Sequence, residues 1–264
     1  MQARIIQVDA FTQVPFRGNP AAVCLLHDDM PDSWMQAVAA EMNLSETAFV
    51  RQHQNGFSIR YFTPVIEVPL CGHATLASAH VLWEEDMVPN QEEIIFQGKS
   101  GTLRAHRDAD WTCLDFPVYA VEKVELPPGL PEALGAEPVS ACSVQGSGYL
   151  VEFPSEAIVR ALQPNIARLH QGQFGPVSVT ARSASASYDF VSRFFWPTGG
   201  IAEDPVTGVA HCSLGPYWAA RLAKTDLVGH QVSQRGGIVR VRIRGERVDI
   251  LGQAVTVMRG EIMT

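Results

Sequence analysis

The sequence predicts an α/β (α+β) fold of two pseudo-symmetric lobes, each a curled, mostly antiparallel β-sheet or barrel around a central helix. Three observations predict it. The first is an internal repeat. Arg60-Tyr61-Phe62-Thr63-Pro64 returns as Arg193-Phe194-Phe195-Trp196-Pro197, an offset of 193 − 60 = 133. Gly72-His73-Ala74, followed later by Trp83, returns as Gly208-Val209-Ala210 and Trp218, and Gly101-Thr102-Leu103-Arg104 returns as Gly237-Ile238-Val239-Arg240. Matches in one order at close to half of the 264 residues mark a repeated structural plan. The second observation is the stretch LCGHATLASAH at 70–80: no Asp, Glu, Lys or Arg occurs from His73 to Trp83, so a helix here has no solvated face and must be buried all round. The third is that the remainder of each half reads as short strands, which supply the wrapping partner such a helix needs.

Taken in order, Ala3–Thr12, Ala22–Leu26, Ser45–Val50, Phe57–Phe62, Glu93–Gln97, Thr102–Ala105 and Thr112–Asp115 are runs with β-branched or aromatic residues, punctuated by Gly, Pro or Asp, and read as strands. Pro31–Met42 reads as an amphipathic helix, with Asp32 near its cap and Met35, Val38, Ala39 and Met42 on one face. In the second half, Ile238–Ile243, Arg247–Leu251 and Ala254–Arg259 suggest a meander. Pro127, Pro128 and Pro131 make 121–138 the expected linker between an N-terminal lobe at 1–120 and a C-terminal lobe at 139–264, with the C-terminal strand a candidate to complete the first lobe.

Lys and Arg number 20 against 28 Asp and Glu, a net charge of −8, which argues against nucleic acid or an anionic membrane as the partner. The five cysteines (Cys24, Cys71, Cys113, Cys142, Cys212) are odd in number and contain no C-x-x-C, so neither a disulfide framework nor a zinc knuckle is suggested, and a reducing cytoplasm is expected. MQARIIQVDAF lacks the apolar core of a signal peptide, and no stretch reaches the length of an apolar membrane span.

The sequence has no GxGxxG opening a helix, no Walker motif, no HExxH and no GxSxG, so the expected chemistry uses neither nucleotide cofactor nor metal. Ordinary acids and bases remain. His73 follows Gly72 at the first helix head, and Asp204, in IAEDPVTGV, precedes Gly208 at the second. Asp204 before Pro205 is biased to an extended conformation that aims its carboxylate back toward the helix. Glu46, with Ser45 beside it, sits in a strand-like segment among Leu44, Ala48 and Phe49. Two pseudo-equivalent positive helix ends facing one cleft would hold a carboxylate and stabilise a developing anion.

The segments VDAFT, FRGNPAAVCLL, NLSETAF, YFTPVIEVPLCGHATLASAH, SRFFWP, EDPVTGVAH and VSQRGGIVRV, in this order over nearly the whole chain, resemble the phenazine-biosynthesis PhzF-like proteins. The resemblance implies the diaminopimelate epimerase fold, with the active site between two similar lobes. It also implies a cofactor-independent isomerase acting on a small carboxylic acid, and a homodimer. By the same resemblance Glu46 takes the place of the carboxylate that removes and returns a proton on carbon. His73 and Asp204 take those of supporting polar groups, Gly72 and Gly208 those of glycines whose helix-head amides hold the substrate carboxylate, and Ser45 lies beside the base. One departure stands out: where the family has serine after the second glycine, this chain has Val209, one hydroxyl short.

Two rivals follow from the residues. Cys71, directly before Gly72, suggests a two-thiol racemase, but the repeat-equivalent position is Thr207, so an opposed thiol is missing. Val209 suggests a binding protein that keeps the anion pocket and has lost turnover.

Overall fold

The N-terminal strand β1 (Gln2–Ala10) runs antiparallel to β2 (Asn19–Leu26) on one side and to the C-terminal strand Ala254–Met263 on the other. In this computed structural model, which describes residues 2–54, 56–145 and 148–263, these strands open the first of two units, Met1–Asp115 with Leu251–Thr264. The helix α1 (Asp32–Met42) buries Met35, Val38 and Ala39 and ends on Asn43, whose φ of 49° lets the chain turn back. It carries the chain to β3 (Glu46–His53), parallel to β2, as a parallel pair requires a crossover. From there β4 (Gly56–Phe62) returns antiparallel, followed by the short β5 (Glu67–Val68), the helix α2 (Gly72–Glu84) and β6 (Ile94–Gly98), which pairs parallel with β4. Strands β7 (Gly101–Asp108) and β8 (Trp111–Pro117) extend this sheet by antiparallel hairpins.

The charge-free helix is where its composition requires it to be. Along α2, Gly72 to Ala79 and Val81 to Trp83 are all buried, and the helix packs on β1, β2, β3 and the C-terminal strand. Its hydroxyls cost nothing in this setting, since Thr75 and Ser78 each donate to the carbonyl four residues back.

The second unit, Phe116–Ile250, repeats the plan. The segment expected as a linker belongs to it: β9 (Val121–Val124) pairs with β10 (Ser140–Val144), and α3 (Leu130–Leu134) buries Leu130, Ala133 and Leu134 between Gly129 and Gly135. Pro131, read as a breaker, instead starts a helix, where its missing N–H has no partner to lose. Strand β11 (Tyr149–Glu152) pairs antiparallel with β10 and parallel with β12 (Val177–Arg182), after a crossover through α4 (Glu156–Ala161) and α5 (Ile166–Gln171). Strands β13 (Phe190–Trp196) and β14 (Ile201–Asp204) follow, and then α6 (His211–Leu222) crosses over to β15 (Asp226–Gln231), parallel to β13. The meander read from the sequence is β16 (Gly237–Arg244), β17 (Arg247–Gly252) and the C-terminal strand, the last of which belongs to the first unit.

The repeat is thus one of topology: a parallel crossover, an antiparallel return, then a second crossover through a buried helix. It extends to side chains. Arg60 on β4 forks onto Glu67 on β5 at 2.8 and 2.7 Å, and Arg193 on β13 forks onto Glu203 on β14 at 2.7 and 2.9 Å. The two helices differ in one respect. Pro216 lies inside α6 and supplies no N–H to the carbonyl of Cys212; that carbonyl accepts from the backbone N–H of Tyr119 at 3.0 Å instead.

Candidate active site

In the first unit the head of α2 is fixed from two sides. Cys71, in extended conformation, is the N-cap and no side chain caps the helix, so its first-turn N–H groups point out of the helix end. The Thr75 hydroxyl, which bonds the Cys71 carbonyl at 2.6 Å, also meets the Tyr61 hydroxyl of β4 at 2.6 Å. Burial drives the Tyr61 phenol far above its ordinary range, so it stays neutral.

Around this head four side chains converge. Glu46 is the first residue of β3, next to Ala21 of the parallel β2, and Asn19 begins β2 at the same end. Glu46 is 8% exposed and His73 4%. His73 Nε2 lies 3.3 Å from Glu46 Oε2, and its Nδ1 lies 3.2 Å from Asn19 Nδ2 and 3.4 Å from Cys71 Sγ. Burial pushes His73 down to about 3, so near neutral pH the ring is uncharged. The Asn19 amide donates to Nδ1, which leaves the ring proton on Nε2, the nitrogen that faces Glu46. With a neutral imidazole, the 3.3 Å approach to the carboxyl group is a polar contact and not an ion pair. Ser45, half-buried, precedes the carboxylate.

The second unit has its own polar cluster. Asp204 closes β14 and is buried; the Thr207 hydroxyl donates to its Oδ2. Gln231, at the end of β15 and fully buried, donates to the Asp204 carbonyl at 2.8 Å and accepts the Thr207 N–H at 2.9 Å. The α-helix itself begins at His211 rather than at Gly208: residues 208–210 form a tight turn in which the carbonyls of Gly208, Val209 and Ala210 accept from the N–H groups three residues on. His211 Nδ1 donates to the Thr207 carbonyl at 2.8 Å, the bond that Thr75 makes to Cys71 in the first unit, so an imidazole at 211 does the work of a hydroxyl at 75. Burial lowers His211 to about 4, opposed by this backbone bond. Its ring packs on Phe190, 5.7 Å between centroids, and a Cβ on Gly229 would strike the Phe190 ring at 2.6 Å. Gly208 is buried and Val209 half-buried.

Of the residues singled out from the sequence, Glu46, His73 and Gly72 come together in the first unit, and Asp204, Gly208 and Val209 form the loop and helix head of the second. Asn19, Tyr61, Thr75 and Gln231 were not singled out. Asn19-Pro20 reads as a turn, and Gln231 reads as one polar position of an alternating strand; only its hydrogen bonds to Asp204 and Thr207 reveal what it holds.

The phenazine biosynthesis-like protein family model matches residues 8–260. An uncharacterized isomerase of Halalkalibacterium halodurans is 48% identical over 264 residues, covering 100% of this chain and 99% of that protein. A crystal structure of a PhzF-family phenazine biosynthesis protein from Enterococcus faecalis superposes with a TM-score of 0.95 at 39% identity, covering 100% of both chains. A hydroxyproline epimerase of Agrobacterium vitis, at 11% identity, shares the fold with a TM-score of 0.62 over 99% of this chain and 92% of that one. The fold is therefore the mixed α/β, two-unit architecture found in epimerases. This chain belongs to the phenazine biosynthesis-like protein family.

Proposed function

We propose that this protein is a cofactor-independent isomerase that moves a proton on the carbon skeleton of a small carboxylic acid, with Glu46 as general acid/base. The observation that carries the reading is the buried Glu46 carboxylate, 3.3 Å from a neutral His73 at the head of a charge-free helix that no side chain caps. The isomerase and epimerase names of the relatives and of the fold neighbour support the reaction class.

In this mechanism Glu46 takes a proton from a carbon conjugated to the substrate carboxylate. The electron pair moves into the conjugated system, and the growing charge on the carboxylate oxygens is met by the amides at the helix head. Glu46, now protonated, returns the same proton to a second carbon, so nothing is consumed. His73 orients the carboxylate through its Nε2–H, and Asn19 sets the tautomer. By the family resemblance Asp204, Gly208 and Val209 also take part, Asp204 as a supporting polar group held in place by Thr207 and Gln231. Clustering of Glu46, His73 and Cys71 favours one acid/base group acting twice over a two-thiol racemase.

Val209 supports a second reading, an anion-binding protein with impaired turnover. One experiment separates the two. A panel of small carboxylic acids is incubated with the protein in D₂O and followed by NMR. Deuterium incorporation at carbon, lost in Glu46→Gln, supports the isomerase; saturable binding with no incorporation favours the binding protein.

A further inference from the structure

Glu46, Cys71 and His73 present one carboxylate oxygen, one sulfur and one imidazole nitrogen, and these ligand atoms lie within 4.8 Å of one another. Among the described residues no other trio of His, Cys, Asp or Glu is so placed. We propose that this trio is a binding site for a borderline-soft divalent cation, Zn²⁺ or Co²⁺, and that the ion shuts off the acid/base chemistry by taking the Glu46 carboxylate as a ligand. The inhibitory consequence rests on the proposed function; the binding site itself does not.

The geometry suits a four-coordinate ion. Zinc bonds of about 2.0–2.3 Å put tetrahedral ligands roughly 3.3–3.8 Å apart. His73 Nε2 is 3.3 Å from Glu46 Oε2 and 3.9 Å from Cys71 Sγ, so small side-chain rotations close the site. The three protein ligands leave a fourth position for water. The donor set selects the metal: sulfur and imidazole favour zinc or cobalt over magnesium and calcium, which prefer oxygen alone.

Charge is balanced as well. A thiolate and a carboxylate together neutralise a dication, so the buried site carries no net charge once filled. Cys71 sits at the N-cap of α2, so its sulfur lies at the positive end of the helix. Binding forms the sulfur–metal bond and releases the thiol proton to solvent. The ring proton moves from Nε2 to Nδ1, and the Asn19 side chain turns its carbonyl oxygen to accept it. Nothing is oxidised or reduced. Among the described residues the other buried cysteines, Cys24, Cys113, Cys142 and Cys212, belong to no such group of three ligands, so they are poor competitors for the ion.

The test is a titration of the full chain with Co²⁺ followed by absorption. One equivalent should produce a near-ultraviolet sulfur-to-cobalt charge-transfer band with the visible bands of a tetrahedral ion, and Zn²⁺ should displace them. Cys71→Ser and Cys71→Ala should lose the charge-transfer band, and Glu46→Gln should weaken binding by at least about 10-fold. In the unsubstituted protein, Zn²⁺ should protect one thiol from a disulfide reagent and release one proton to a weak buffer, readouts that do not depend on any variant folding. Absence of the band, its persistence in both Cys71 variants, or no thiol protection would overturn the proposal. No substrate is used, so a failure here leaves the isomerase reading untouched, and failure of deuterium exchange leaves the metal site standing.

Discussion

His73 Nε2 lies 3.3 Å from Glu46 Oε2, joining the first turn of a buried helix to the first residue of a strand. The pair defines what each side chain does. Glu46→Gln keeps the shape and the polar contact with His73 but cannot accept a proton. Deuterium exchange on a true substrate should fall by at least about 10²-fold, while ligand affinity changes little. Exchange at the original rate in this variant, measured by NMR in D₂O, would move the base elsewhere.

Asp204→Asn should lower the exchange rate while the fold is kept, because the amide still accepts the Thr207 hydroxyl bond through its oxygen. A kcat/KM unchanged from that of the unsubstituted protein would remove Asp204 from the reaction.

Val209→Ser supplies the hydroxyl that relatives of this kind are expected to carry. At a half-buried position its effect on stability should stay within about 1–3 kcal/mol. The exchange rate should rise with little change in affinity, since a new donor acts mainly on developing charge. A substrate turned over efficiently by the unsubstituted protein and damaged by this change would show that valine shapes specificity.

Chelation should leave the proton-exchange rate unchanged or raise it, because no step needs a metal and a bound cation would occupy Glu46. A loss of exchange after dialysis against a chelator, restored by adding back a single metal, would defeat the cofactor-free mechanism.

His211 makes the fold sensitive to acid. Its folded value of about 4 lies below the ordinary imidazole value of 6.5, so the unfolded chain binds a proton first as pH falls. The stability it contributes is present above pH 6.5 and is lost as pH falls toward 4. Between pH 6.5 and 5 that loss is about 2 kcal/mol, at roughly 1.4 kcal/mol per pH unit. Urea unfolding at pH 7 and pH 5 should show it, and His211→Gln should flatten the dependence by a similar amount. An unchanged slope in that variant would place the acid sensitivity in other groups.

Much of the architecture was legible along the chain because it is written in local pattern. The 11 residues from His73 to Trp83 carry no charge, so a helix over them would expose apolar surface on every side in water and thereby announces its own burial, and the repeat of Arg60 by Arg193 announces a second copy of the plan. His73 stood out as a polar residue at the head of an apolar run, and Glu46 as a carboxylate in a strand-like segment among Leu44, Ala48 and Phe49. The linker expected at 121–138 failed because proline's meaning depends on position. Pro131 stops a strand or a helix interior, yet starts α3, and only the packing of Leu130 and Leu134 into a core decides which. The membership of Asn19 and Gln231 was likewise hidden. Asn19 reaches His73 across 54 residues and Gln231 reaches Asp204 across 27, and neither distance leaves a trace in local sequence. By itself, then, the sequence determined through its charge pattern that the segment from His73 to Trp83 must be buried, and it singled out Glu46, His73 and Asp204, but not Asp9, His211 or Asp249, which are buried as well. The tertiary structure alone decided which of those groups meet, because the pairing of β2 with β3 and the seating of α2 on both bring residues together by geometry that no local pattern encodes.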